Sequence, residues 1–171
     1  MRPRASSLTS SLLAFGLLAV GCGLSFVPAC SSHACGLVGC ATGASIRLTL
    51  PPPTATTFPL ALKTCFNDDC RTAQLLAPDG SGSGSTATLP PALEGPIADA
   101  TLFATGAGSL ALTVSWRQNP PGHVANGDRY TVTVTDAGGA TVGSFDKTAT
   151  YTTNQPNGAD CAPTCQFATL D

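Results

Sequence analysis

The feature that most constrains the fold of this chain is the alternation of apolar and polar residues in its second half. Leu110–Arg117 reads LALTVSWR, with a large apolar side chain at every second position. The same period of two recurs in Tyr130–Thr135 and in Ser45–Leu50. Successive side chains of a β-strand point to opposite faces, so this period predicts strands with one buried face. No segment after residue 40 has the i, i+3, i+4, i+7 spacing of a long helix.

Turn-forming residues divide the remaining chain into short segments. Leu60–Ala77 has two strand-like arms around Phe66–Asp69, and Asn and Asp side chains favour the tight connection of a hairpin. Residues 78–99 combine a Gly/Ser tract with prolines, which predicts a flexible exposed loop. Residues 141–152 and Gln166–Leu170 supply the last expected strand segments.

These segments together predict an all-β domain. About seven or eight short strands separated by turns are typical of an antiparallel β-sandwich. The pattern resembles an immunoglobulin-like or fibronectin-like architecture, although the cysteines lack the Cys, Trp, Cys spacing of true immunoglobulin domains. This resemblance is to an architecture and implies no particular activity.

The N-terminus has the pattern of an export signal. Arg2 and Arg4 precede the apolar stretch Leu12–Val20, and no further Lys, Arg, Asp or Glu occurs before Arg47. A basic start followed by a short apolar region predicts a secretory signal peptide over residues 1–29. An uncleaved membrane helix is the rival interpretation, and the glycines and proline of this stretch weigh against it.

The end of this stretch resembles a bacterial lipoprotein signal, in which a cysteine is lipidated and becomes the new N-terminus. Two sites match, Ala19-Val20-Gly21-Cys22 and Val27-Pro28-Ala29-Cys30. Position favours Cys22, which directly follows the apolar stretch. Cleavage before Cys30 leaves six further cysteines and cleavage before Cys22 leaves seven, so an even number for disulfides favours Cys30. Cleavage without lipidation is also open.

The cysteines predict a disulfide-braced domain. Cys65 and Cys70 would face each other across the hairpin, where paired Cβ atoms are close enough for a disulfide. The spacing also suggests local loops closed by Cys35–Cys40 and by Cys161–Cys165, although six cysteines allow 15 pairings.

The expected organisation is a signal peptide over residues 1–29, a cysteine-containing tether over 30–43 and one domain over 44–171. Without residues 1–29 the chain keeps six basic and ten acidic residues, a net charge near −4. Nucleic-acid binding would require a basic patch, and attachment to anionic lipid would require a basic cluster. The Lys and Arg residues of this chain are scattered singly and provide neither. Membrane association is therefore expected through acyl chains alone.

Two chemical hypotheses arise from the histidines. Cys30, His33, Cys35 and Cys40 offer thiolates and an imidazole for zinc or copper, but their spacing is not that of a zinc knuckle. His123 lies near Asn126 and Asp128 in a loop, but no Gly-x-Ser-x-Gly motif accompanies it. We therefore predict no metal, no cofactor and no catalytic residues.

The sequence thus predicts an exported, lipid-anchored protein of the bacterial cell envelope, at the outer membrane or surface where the host has two membranes. Its expected role is a non-catalytic binding or structural module with a protein or glycan partner. The loops 78–99 and 118–128 are the expected contact regions. The alternatives are a metal-handling protein that uses Cys and His ligands, or a small secreted enzyme.

Overall fold

The computed structural model describes residues 38–79, 84–90, 95–106, 108–118 and 124–171. All of these residues belong to one compact unit within residues 34–171. The described residues form ten strands in two sheets and contain no α-helix, only a 3-10 turn at Pro53–Ala55. The predicted all-β sandwich fold is confirmed.

Ten strands are present where seven or eight were expected. In chain order they are β1 Gly43–Leu50, β2 Leu60–Phe66, β3 Asp69–Leu75, β4 Ser85–Leu89, β5 Ile97–Ala104, β6 Leu110–Arg117, β7 Arg129–Thr135, β8 Thr141–Thr148, β9 Thr152–Asn154 and β10 Cys165–Leu170. β6 has the bounds that its alternation predicts. The prediction of a loop over residues 78–99 is wrong in part, because this region contains β4 and the start of β5.

The larger sheet has the strand order β4-β5-β6-β1-β10-β9. One of its two central strands, β1, pairs antiparallel with the other, β6, so that Ile46 lies opposite Val114. On its other side β1 pairs parallel with β10, so that Ile46 also lies beside Leu170. The sheet is therefore mixed, and the expectation of a purely antiparallel sandwich is wrong at this pair. A parallel pair needs a long connection, and the whole second sheet is part of it.

The smaller sheet has the strand order β3-β2-β7-β8 and is antiparallel throughout. β2 and β3 form the predicted hairpin, but pairing continues to Phe66 opposite Asp69. The connection is thus the two residues Asn67 and Asp68, not four. Asn67 has φ of 51°, a left-handed conformation that Asn tolerates better than most residues.

The core lies between the sheets and is built from the inward-facing residues, which alternate with outward-facing ones along each strand. β6 contributes Leu110, Leu112, Val114 and Trp116, all at most 1 % exposed. β7 faces them from the other sheet with Tyr130, Val132 and Val134, which are fully buried. Burying each large apolar side chain contributes about 1.5–3 kcal/mol, so these alternating runs drive the assembly of the sandwich.

Two disulfides brace the described fold. Cys65–Cys70 joins β2 to β3 across the hairpin, as predicted. Cys40–Cys165 joins the approach to β1 to the first residue of β10. The predicted Cys35–Cys40 and Cys161–Cys165 pairings are therefore wrong, and Cys161 is itself disulfide-bonded. The long-range bond forms because β1 and β10 are parallel neighbours that begin at the same end of the sheet.

The fold begins before the expected boundary at residue 44. Gly43 already pairs with Arg117 and Phe167, and Thr42 is buried. Gly43 has φ of 152°, and a Cβ there would lie 1.9 Å from the Trp116 carbonyl oxygen. Glycine is thus required where the chain enters the sheet.

One side of the sandwich is closed by contacts between the edge strands β3 and β4. Arg71, which is 6 % exposed, binds Asp69 through Nε and Nη2 at 3.0 and 2.7 Å. Its Nη1 donates to the Pro90 carbonyl at 2.7 Å, just beyond β4. The Leu76 amide donates to Ser85 Oγ at 3.2 Å. These contacts cover the outer edge of β3.

Candidate functional site

The candidate site is the solvent face of the smaller sheet, which we call the hydroxyl face. It consists of the outward residues of β2, β3, β7 and β8: Ala61, Lys63, Thr72, Gln74, Thr131, Thr133, Thr135, Ser144 and Asp146. Thr72, Lys63, Thr133 and Ser144 lie directly opposite one another and form one row across the four strands. Neighbouring strands are about 4.8 Å apart, so the row spans about 14 Å.

Two adjoining depressions lie on the hydroxyl face. The larger, of about 470 Å³, is lined by Lys63, Thr72, Gln74 and threonines of β7. The smaller, of about 430 Å³, lies between β7 and β8. Thr133 lines both, so they form one continuous surface. Its lining offers hydroxyl and amide groups that donate or accept hydrogen bonds, and the small side chain of Ala61 keeps it open.

The charged side chains of this face differ in whether they have a partner of opposite charge. Arg129 and Asp146 form an exposed ion pair at one end. The hydrogen bond and charge of Asp146 raise the pKa of Arg129, and the hydrogen bond from Arg129 lowers the pKa of Asp146. Lys63, in contrast, has no ion pair or side-chain hydrogen bond among the described residues. Within the described part of the chain, no acidic side chain therefore occupies its ammonium group.

The inner side of the same sheet holds an aromatic cluster that supports the face. Trp116 Nε1 donates to Thr64 Oγ1 at 3.0 Å, and both side chains are buried. The Phe66 ring lies 6.0 Å from that of Trp116 and 5.1 Å from that of Tyr130. The Arg71 guanidinium lies 5.6 Å from the Trp116 ring, a cation–π distance. These contacts fix β2, β3 and β7 relative to one another.

The described part of the 118–128 loop is held by its own polar groups. Asp128 Oδ2 accepts from the Ala125 amide at 2.8 Å, and Asn126 Oδ1 accepts from the Tyr151 amide at 2.8 Å. The hydroxyl groups of Tyr130 and Tyr151 lie 2.7 Å apart. Burial raises the pKa of Tyr130 to about 12, and burial together with its hydrogen bond to Tyr130 raises that of Tyr151. Both tyrosines are therefore neutral hydrogen-bonding groups at neutral pH.

The residues that the sequence offers for catalysis or for metal binding do not form a site within the described residues. Asn126 and Asp128 are engaged in loop contacts, and His123 lies outside the described residues. Cys22, Cys30, His33 and Cys35 also lie outside them. Cys40 is in a disulfide, so its sulfur is not a thiolate ligand. The described residues contain no group of three His, Cys, Asp or Glu side chains suited to a metal.

The hydroxyl face was not predicted from the sequence, in which the loops and cysteines are the more conspicuous features. The available signal was the run Thr131, Thr133, Thr135, in which every residue next to the buried valines of β7 carries a hydroxyl group on the outer face.

Within the described residues, no helix has the length and apolar character needed to cross a membrane.

Comparison with known proteins adds no relative to this picture. No family model, curated protein or solved structure matches the chain.

Proposed function

We propose that this protein is a lipid-anchored, exported module of the bacterial envelope that binds an acidic glycan through the hydroxyl face and catalyses no reaction. The observation that carries the proposal is Lys63, a cation without a partner among the described residues, in a row of hydroxyl groups. Sugar hydroxyls suit Thr72, Thr133 and Ser144, and a sugar carboxylate suits the ammonium group.

The two disulfides support the export part of the proposal, since disulfides persist in oxidising compartments. The anchor rests on the N-terminal pattern, with Cys30 as the lipidated residue and Cys22 as the alternative. Stable attachment needs more than one acyl chain, because each buried CH₂ contributes about 0.8 kcal/mol. Mass spectrometry of the mature N-terminus tests the anchor: an acylated Cys30 supports it, and an unmodified N-terminus would refute it.

Binding of a polyuronate, compared with the neutral polymer dextran, tests the glycan part. At about 0.15 M salt the Debye length is about 8 Å, so distant acidic residues repel the polymer weakly. We expect polyuronate to bind the full chain, dextran to bind much more weakly, and Lys63→Gln to reduce polyuronate binding several-fold. The control is Arg129→Gln, which removes a cation already paired with Asp146. Equal loss in both variants would indicate non-specific charge attraction and contradict the proposal.

A further inference from the structure

A second depression, of about 570 Å³, lies on the outer face of the larger sheet, where β5, β6 and β1 are neighbours. Phe103, Ala111 and Thr49 lie directly opposite one another across these strands. Thr113 and Arg47 form part of the next row. The small side chain of Ala111 leaves open the space between the Phe103 ring and Thr49.

The ring of Phe103 is unusual in its exposure. It is 39 % exposed, and every other aromatic side chain among the described residues is buried or half-buried. Its position on the outer face of β5 follows from the alternation that buries Leu102. A single exposed apolar residue needs no explanation by itself, but this one forms a wall of a depression.

Arg47 supplies the charge of the same depression. Like Lys63, it has no ion pair or side-chain hydrogen bond among the described residues, whereas Arg71, Arg117 and Arg129 are each paired with an aspartate. A guanidinium group presents a planar fork of donors that matches both oxygens of a carboxylate. The depression therefore combines an aromatic wall with an unpaired fork of donors.

We propose that this depression binds a small aromatic carboxylate that carries one negative charge. Arg47 binds the carboxylate, the aromatic ring packs against Phe103 above Ala111, and the hydroxyl groups of Thr49 and Thr113 line the space between. Asp171 also lines the depression, and its carboxylate repels a doubly charged anion more strongly than a singly charged one. The volume lies within the range of about 300–1,000 Å³ typical of small-molecule sites.

This site is independent of the proposed glycan binding and of the lipid anchor. It lies on the other sheet and shares no residue with the hydroxyl face. Failure of either proposal therefore leaves the other one standing.

Titration of the purified full chain with phenylacetate, followed by NMR of the ligand and of the protein amides, tests the inference. We expect saturable binding, with amide shifts concentrated in β1, β5 and β6. Arg47→Gln and Phe103→Ala should each weaken binding by at least about tenfold, since each removes one of the two principal contacts. Ala111→Leu should do the same by filling the depression while leaving the charge intact.

Three comparisons make the outcome decisive. Lys63→Gln, on the other sheet, should leave phenylacetate binding unchanged. Benzyl alcohol, which lacks the charge, and phenyl phosphate, which has close to two charges at pH 8, should both bind less tightly. Absence of saturable binding, shifts confined to other strands, or equal affinity for folded Ala111→Leu protein would overturn the inference.

Discussion

The buried hydrogen bond between Trp116 and Thr64 links the two sheets through a residue pair 52 positions apart. Trp116 belongs to the larger sheet and Thr64 to the smaller. Both side chains are at most 1 % exposed, so neither group has water as an alternative partner. The bond therefore holds the aromatic cluster in one arrangement, and its loss leaves a buried donor unsatisfied.

Replacement of Thr64 by Val tests this interpretation at the residue scale. Val has a similar shape, so packing is kept while the acceptor for the indole N–H is removed. We expect Thr64→Val to lower the free energy of unfolding by about 1–3 kcal/mol, measured by urea denaturation with tryptophan fluorescence. Thr72→Val, an exposed change on the same sheet, is the control and should alter stability by less than about 0.5 kcal/mol. Similar values for both variants would argue against the role of this bond.

At the scale of elements, the long edge strand β8 has a charge on its inward side. Lys147 lies opposite the buried Tyr130 and so belongs to the core-facing set of β8. Lys147 is nevertheless exposed, and its Nζ donates to the Asp171 carbonyl and lies 5.6 Å from the Phe145 ring. An inward-facing charge on an edge strand opposes pairing with another sheet, because that pairing would desolvate the charge. The edge of β3, in contrast, is covered by contacts to the β4 region.

Lys147→Val is expected to convert β8 into a pairing edge. The variant removes the charge and adds a β-branched residue, which favours strand association. Sedimentation velocity should show a larger share of concentration-dependent dimers or larger species than in the natural chain. Lys63→Val removes the same charge from β2, an interior strand, and should stay in the state of the natural chain. Identical behaviour of the two variants would rule out an effect of the edge.

The contrast between β6 and β5 shows how much of the fold the sequence could predict. β6 has large inward residues, so its alternation is strong and its bounds were predicted correctly. β5 has inward Ala98 and Ala100, whose small side chains give little contrast with their neighbours, and its start was assigned to a loop. Burial of these alanines depends on large residues supplied by other strands, which local periodicity does not contain.

The disulfides and the candidate sites also differ in whether local sequence was enough to predict them. Cys65–Cys70 could be predicted because a local hairpin brings both residues together. Cys40–Cys165 could not, because it depends on the parallel pairing of β1 with β10. Alternation predicts that Lys63 and Arg47 point outward. Only the folded arrangement reveals that these cations have no partner among the residues that the structure describes, while Arg71 is buried and paired.

At the scale of the whole molecule, a tryptic digest without reductant tests the observed disulfides. Cleavage after Arg47 and after Lys147 produces two peptides that Cys40–Cys165 keeps joined until reductant is added. The peptide Thr64–Arg71 should gain two hydrogens on reduction, because Cys65–Cys70 lies inside it. Release of Thr148–Asp171 without reductant would support the Cys161–Cys165 pairing instead and contradict this fold.

The Cys40–Cys165 bond also determines how mechanical tension would enter the domain. Tension that arrives at Cys40 from the N-terminal side is divided there between β1 and, through the sulfur atoms, β10. These two strands are hydrogen-bonded neighbours in the larger sheet, and they run in the same direction. The load would therefore move them together instead of sliding one past the other. Peeling β1 from the sheet therefore requires dragging β10 with it.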